Sequence, residues 1–283
     1  MSYWSRHGLW AFLLLAGNFW HPLCAQPGHQ QGDFGEETAL YAETKQVNQF
    51  FRRFNAEEGR DGERFYEDHP QFHDPSFRRD YLDLLFDNAS SQIARTDKQA
   101  FIDQVSDTNA PHFLDFHGKS WFAEVHTRFL YRGQEKPVVL FLRLEADRLG
   151  HKWVIDQVLF DAYSKRIPPP REAGSEFLHP LSHELDFMNL AKVFRSSKDL
   201  AGYVAQDWGP DPLTLFLLDI AEGNLVFRTV TDLRFHFLQV GGWYFTLEDV
   251  QRPGYNTGWL ITELQAMPAA AREAKRQAIY HGL

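Results

Sequence analysis

The densest run of titratable side chains is His69-Pro70-Gln71-Phe72-His73-Asp74. Two imidazoles spaced i, i+4 on a helix would make a metal pair, but Pro70 stands between them and helical pattern begins only at Asp74. Asp74-Pro75 reads as an N-cap followed by a first-turn proline, so the run is a polar loop ending in a cap. His179, His183 and Glu184 pose the same question, and Pro180 pushes His179 out of helical geometry while Ser182 can cap. His112 and His117 precede a strand, where either imidazole could serve as a general acid or base. Asp156 lies between Val154 and Val158, a carboxylate in an otherwise apolar row. Facing a cavity, it would be raised by desolvation into the range of a base; facing solvent or an arginine, it would do nothing of the kind. If the chain is an enzyme, its acid/base set is therefore Asp156, His73 and His117. There is no phosphate-cradling glycine loop, no Gly-x-Ser-x-Gly elbow and no dinucleotide fingerprint, so no cofactor and no metal are expected.

Those residues must be positioned by an α+β framework whose parts come twice. Val47, Phe50, Phe51 and Phe54 form a helical stripe that Gly59 should stop. Asp74-Pro75 opens a second helix with Phe77, Tyr81, Leu84 and Leu85 inward, and Thr96 caps a third carrying Phe101, Ile102 and Val105. Three strands follow, 121–131, 138–145 and 153–160. In the first, Trp121, Ala123, Val125, Thr127 and Phe129 alternate with Glu124, His126 and Arg128, as one buried and one wet face require. On the wet face, Arg128, Arg132 and Arg143 beside Glu124 and Glu145 read as cross-strand charge pairs. Ile167 to Ser175, with three consecutive prolines, is the best linker.

Beyond it Phe187, Leu190, Ala191 and Phe194 repeat the first stripe. Asp211-Pro212 again opens a helix, with Leu213, Phe216, Leu217 and Ile220 inward. Strands at 225–240, 243–250 and 259–266 complete the copy. Gly241-Gly242 reads as a two-residue hairpin turn, and Phe235 and Phe237 alternate with a solvent-side Arg234 and His236. Each half closes on Trp-x-Ile: Trp153-Val154-Ile155 and Trp259-Leu260-Ile261.

The opening resembles an export signal: Arg6, then a mostly apolar Leu9–Trp20, then a small residue where cleavage after Ala25 is expected. That apolar run is too short to span a bilayer of roughly 30 Å. Leu23 speaks against lipidation at Cys24, the one cysteine, so the expected product has no thiol and no disulfide. The expected plan is a signal peptide (1–25), a polar lead-in (26–43), a first cone-like domain (44–163), a Pro-rich linker (164–180), a second, shorter domain (181–267) and a terminal helix (268–283).

Helices followed by a long curved antiparallel sheet ending on a Trp strand resemble the nuclear-transport-factor-2-like superfamily, which includes ketosteroid-isomerase-like and polyketide-cyclase-like proteins. The resemblance rests on Val47–Phe54, Asp74–Phe86 and Trp121–Phe160, and on Phe187–Phe194 with Leu225–Ala266. Phe177 to Met188 is also similar to a stretch in exported bacterial proteins of this size. The resemblance implies two tandem cone folds, each helices and then a curved sheet. Such cones host enzymes, binding modules and spacers alike, and no local motif carries the isomerases' roles onto particular residues here.

A net charge of −9 disfavours a nucleic-acid partner, which needs clustered Lys and Arg. The 25 Phe imply ring-packed cores or a ring-lined cavity. The expectation is an exported, periplasmic or extracellular, non-catalytic binding or scaffold protein whose partner is a small molecule or a protein. The alternative is an isomerase, cyclase or hydratase working in the first cone. A homodimer through sheet faces is compatible with both.

Overall fold

A computed structural model describes residues 46–148, 150–166, 189–196, 203, 211–254 and 256–282. The expected export signal, the lead-in, the prolines of the linker, and His179, His183 and Glu184 lie outside them. Helix α1 (Val47–Asn55) forms where the Phe stripe predicts and buries Phe50, Phe51 and Phe54. It ends on Ala56, left-handed at φ 60°, whose N–H caps the last turn before Gly59 is reached. Helix α2 (Pro75–Leu82) starts on Asp74, whose carboxylate accepts the Phe77 N–H at 2.7 Å, and a 3-10 turn (Asp83–Leu85) continues it. Helix α3 (Arg95–Val105) is capped by Ala94 rather than Thr96, with no side-chain bond.

Strands β1 (Trp121–Tyr131), β2 (Gln134–Asp147) and β3 (Gly150–Leu159) form a meander, followed by α4 (Asp161–Arg166), which runs into the stretch expected to be linker. Helices α5 (Asn189–Ser196) and α6 (Pro212–Ala221) lead to β4 (Leu225–Phe237), β5 (Trp243–Val250) and β6 (Gly258–Ala266), and α7 (Arg272–Tyr280) closes the chain. Asp211 caps α6 through the Leu213 N–H at 3.0 Å, matching Asp74 on α2. Strand β4 stops at Phe237, so the β4–β5 connection is longer than two residues, with a tight turn at its tip where the Trp243 N–H reaches the Val240 carbonyl. No helix among the described residues is long and apolar enough to cross a membrane.

The two meanders are not separate sheets. Strands β1 and β4 pair antiparallel from Trp121 with Phe237 to Tyr131 with Leu225, giving one six-stranded antiparallel sheet in the order β3-β2-β1-β4-β5-β6. The sheet is strongly curved. Trp153 on one edge strand and Trp259 on the other both pack on Phe235 of β4, with ring centroids 6.2 and 5.1 Å away. In a flat sheet, strands spaced about 4.8 Å would leave β3 about 14 Å from β4, so the two rings meet only if the sheet curls. The two Trp residues nevertheless differ in burial, at 41% and 9% exposure.

The largest core takes α1–α3 and rings from both halves: Trp121 of β1, Phe235 and Phe237 of β4, Trp243 and Phe245 of β5, Trp259 of β6. Helices α1 and α3 and the first 3-10 turn touch β6, while α6 touches β3 as well as its own β4. Each half's helices thus reach the other half's closing strand, and the aromatic interior expected within each half is shared. A second cluster under α6 and α4 gathers Phe129, Val138, Val158, Phe160 and Phe216 on the same face. On the opposite face α7 packs Tyr280 and Ile279 onto Phe122, Phe141 and Tyr244. The side of the sheet expected to be wet is therefore partly a third core.

Candidate functional site

The sequence candidates fall in separate networks. A register shift between Phe141 and Leu142 leaves Asp156 as a bulged residue of β3 without a β2 partner. The bulge breaks the supposed Val154–Asp156–Val158 row: Val158 enters the core under α6, while Asp156 turns to the α7 face. There it accepts hydrogen bonds from Arg143 Nε (2.7 Å) and Tyr280 OH (2.8 Å). Burial, then this carboxylate, pushes the Tyr280 phenol up from its ordinary value. Arg143 also meets Glu145 at 3.0 Å, but along β2 itself; its cross-strand ion pair is with Asp156 of β3 rather than with either glutamate expected.

His73 sits in the loop before α2 with φ 56°, a conformation L residues seldom adopt. Its ring stacks between Phe72 and Phe113, with centroids 3.8 and 4.2 Å away, and Nε2 lies 3.1 Å from Glu57 Oε1. His117 is exposed, stacks on His151 at 4.1 Å, and donates its backbone N–H to Asp115 Oδ1 at 2.9 Å. His69 stacks on Phe65 at 4.2 Å, and His112 lends its carbonyl to Arg78. Among the described residues no group of three His, Cys, Asp or Glu is placed to hold a metal ion.

The two carboxylates beside His73 and His117 share a cleft. It encloses about 280 Å³ and is walled by Asn48, Phe51, Arg52 and Asn55 of α1, by Glu57, and by Leu114–Phe116. Its walls are held by local bonds. Asn55 clamps Leu114 at both backbone groups, Nδ2 to O at 2.9 Å and N to Oδ1 at 2.8 Å. Buried Glu58 receives Arg52 Nε at 2.7 Å and Arg53 Nε at 3.2 Å, fixing the end of α1. Phe116 packs on Phe51 at 5.2 Å and remains half-buried at the cleft. The terminal nitrogens of Arg52, the Asn48 amide, Glu57 Oε2 and Asp115 Oδ2 make no hydrogen bond among the described residues. They offer donors and acceptors around one ring, in a lining with one cation and two carboxylates. A second cavity of about 610 Å³ is lined by four charged side chains, of which three are already tied, Lys98 to Asp83 at 2.6 Å and Asp87 to Arg252 at 2.7 Å, while Arg95 makes no ion pair among the described residues.

Sequence reading missed a strongly perturbed carboxylate. Glu124, assigned to the wet face, accepts from His236 Nε2 at 2.6 Å and from His126 Nε2 at 2.7 Å. Burial works to raise its carboxyl, but the hydrogen bonds and charge from His236 and then His126 outweigh that and hold it down at about 2. Burial lowers His236 below the ordinary imidazole value against the pull of Glu124. A neutral His236 with its proton on Nε2 fits every neighbour: it donates to Glu124, and Nδ1 accepts from Tyr244 OH at 2.9 Å. Burial, followed by Glu263, raises the Tyr244 phenol so that it stays protonated. Phe122 stacks on His236 at 4.8 Å and Lys275 of α7 covers the Tyr244 ring at 4.4 Å. Both ends of the His236 chain are filled by the protein, which suits it to locking β1, β4 and β5 together. Only the Ala- and Arg-rich terminal helix hinted that this face would be covered.

Compared with known proteins, the chain matches no family model, no curated protein and no solved structure.

Proposed function

We propose that this is an exported binding protein, built from two fused copies of a cone-like nuclear-transport-factor-2-type unit, and that the cleft between α1 and the Leu114–Phe116 segment holds a small polar molecule. The observation that carries the proposal is the convergence of unused polar groups from Asn48, Arg52, Glu57 and Asp115 beside the Phe116 ring. Binding sites pair an apolar wall with a few placed donors and acceptors, and this lining has both. Asp156, His73 and His117 each have different partners and share none, which favours binding over acid/base turnover. Saturation-transfer NMR with a panel of small sugars, amino acids and amines tests the proposal. The expected result is a ligand whose signal disappears in Asn48→Leu and Asp115→Ala while the fold is retained. A panel without a hit, or hits indifferent to both substitutions, overturns it.

A second reading, a small-molecule enzyme, finds support in His73 alone. A left-handed backbone at a histidine held between two rings and aligned by Glu57 is the kind of strain that accompanies acid/base sites. Its test is a turnover in the same panel that His73→Gln abolishes without loss of ligand binding.

A further inference from the structure

Exposed apolar groups lie on α6, where Leu213, Phe216, Leu217 and Ile220 were expected to face inward and only Phe216 is buried. Chemistry specific enough to name a ligand lies instead in the α1 cleft, and its sharpest feature is Asp115. The backbone of that residue is clamped. Its N–H donates to Gln239 Oε1 at 2.9 Å, and its carbonyl accepts Gln239 Nε2 at 2.6 Å and the Gly118 N–H at 3.1 Å. A side chain at 118 would loosen this clamp, since its Cβ would fall 2.9 Å from Gln239 Nε2 and 3.1 Å from the Asp115 carbonyl oxygen. Asn55 fixes Leu114 before it, and Trp121 Nε1 donates to the Phe116 carbonyl after it at 3.0 Å. On this fixed stretch the Asp115 carboxylate accepts a single hydrogen bond, from the His117 N–H to Oδ1, and makes no ion pair among the described residues. Held in place beforehand, it gives up little freedom when a partner arrives.

Glu57 lines the same cleft, with Oε1 shared between Asn55 at 3.2 Å and His73 at 3.1 Å and Oε2 open. Neither carboxylate meets a lysine or an arginine among the described residues. From α1 come donors instead: the terminal nitrogens of Arg52, whose Nε is on Glu58, and the Asn48 amide. A neutral ligand would cover two carboxylates without bringing a countercharge, and a simple anion would meet two carboxylates for one guanidinium. A simple amine answers the carboxylates but covers the Arg52 and Asn48 donors without an acceptor. A molecule with both an ammonium and a carboxylate answers both sets through charge-assisted hydrogen bonds. The volume of about 280 Å³ falls just under the usual range of ligand cavities, roughly 300–1,000 Å³, which suits a molecule of amino-acid size. Building on the binding reading above, we propose that the cleft takes a free α-amino acid. Its ammonium sits on Asp115 and Glu57, its carboxylate on Arg52 and Asn48, and its side chain beside the Phe116 ring. The assignment rests on the cleft being a binding site.

Calorimetric titration of the full chain tests this with leucine, lysine and glutamate, each beside the counterparts that lack the α-amino or the α-carboxyl group, and with glucose as a neutral polar probe. The expected result is that at least one amino acid binds. Removing either of its charged groups should weaken it about tenfold or more, the loss of a charge-assisted hydrogen bond. Asp115→Asn keeps the shape and the acceptor for the His117 N–H, so circular dichroism and the melting temperature should match the parent's. In that variant the affinity for the amino acid should fall about tenfold or more, while that for its des-amino counterpart does not fall. Glucose binding without any amino acid, or an amino acid indifferent to loss of either group or to Asp115→Asn, overturns the ligand class and leaves the cleft a binding site. Titrations silent for every probe overturn both the class and the cleft.

Discussion

Replacing Arg78 should be among the most damaging single changes to this fold. Its guanidinium is fully buried and has no carboxylate partner among the described residues, yet it makes three hydrogen bonds: Nε to the Phe54 carbonyl (3.1 Å), Nη1 to that of Val105 (2.8 Å) and Nη2 to that of His112 (2.6 Å). Phe54 is in the last turn of α1 and Val105 ends α3. Each helix C-terminus carries roughly half a negative charge, so two of them together balance one cation. The rings of Phe54 and Phe113, 5.6 and 4.4 Å from the guanidinium carbon, add cation–π attraction. Burial draws the group down to about 10, still protonated at neutral pH. Arg78→Met keeps most of the stem and removes every donor. Hydrogen bonds from a charged donor contribute about 1.5–3 kcal/mol each, and relief of the buried charge offsets part of their loss. The expected net loss is about 3–5 kcal/mol, read from the urea midpoint at unchanged slope. Arg78→Lys should recover only part, since one ammonium cannot reach three diverging carbonyls. A methionine variant within about 1 kcal/mol of the parent would refute this account, because uncapped carbonyls cannot be that cheap in a dry site.

Other outcomes follow from the same contacts. Phe50→Ala removes a fully buried ring that meets Phe51, Phe54, Phe237 and Phe245 within 6.4 Å, and should cost about 3–5 kcal/mol by calorimetry. Acid should destabilise the protein in two stages. His236 is depressed in the fold, so below about 6.5 the unfolded chain takes up a proton that the folded one refuses. Glu124 contributes fully above its ordinary carboxylate value and loses its contribution as pH falls toward about 2. Urea midpoints from neutral to acid pH should therefore fall, and Glu124→Gln should flatten the lower stage; an unchanged profile would contradict the Glu124 contacts. Tyr280→Phe keeps the ring on Phe122 and Phe141 but removes the bond to Asp156, for a loss of about 1–2 kcal/mol in chemical denaturation.

What the amino-acid order determined by itself was local. The Phe stripe of α1, the two Asp-Pro caps and the succession of strands each depend on residues a few positions apart, so their signals survive without knowledge of the fold. Pairing of β1 with β4 was not legible, because an alternating strand advertises a buried face but not the neighbour along its edge. The bulge at Asp156 likewise shifts side chains between faces without leaving a mark in composition. His236 read as wet until α7, starting thirty-six residues later at Arg272, was laid over it. The cleft joins α1 to a segment fifty-nine positions beyond Asn55. Tertiary structure alone decided these points, since burial and contact depend on which surfaces meet, and chain neighbours do not encode a meeting between distant segments.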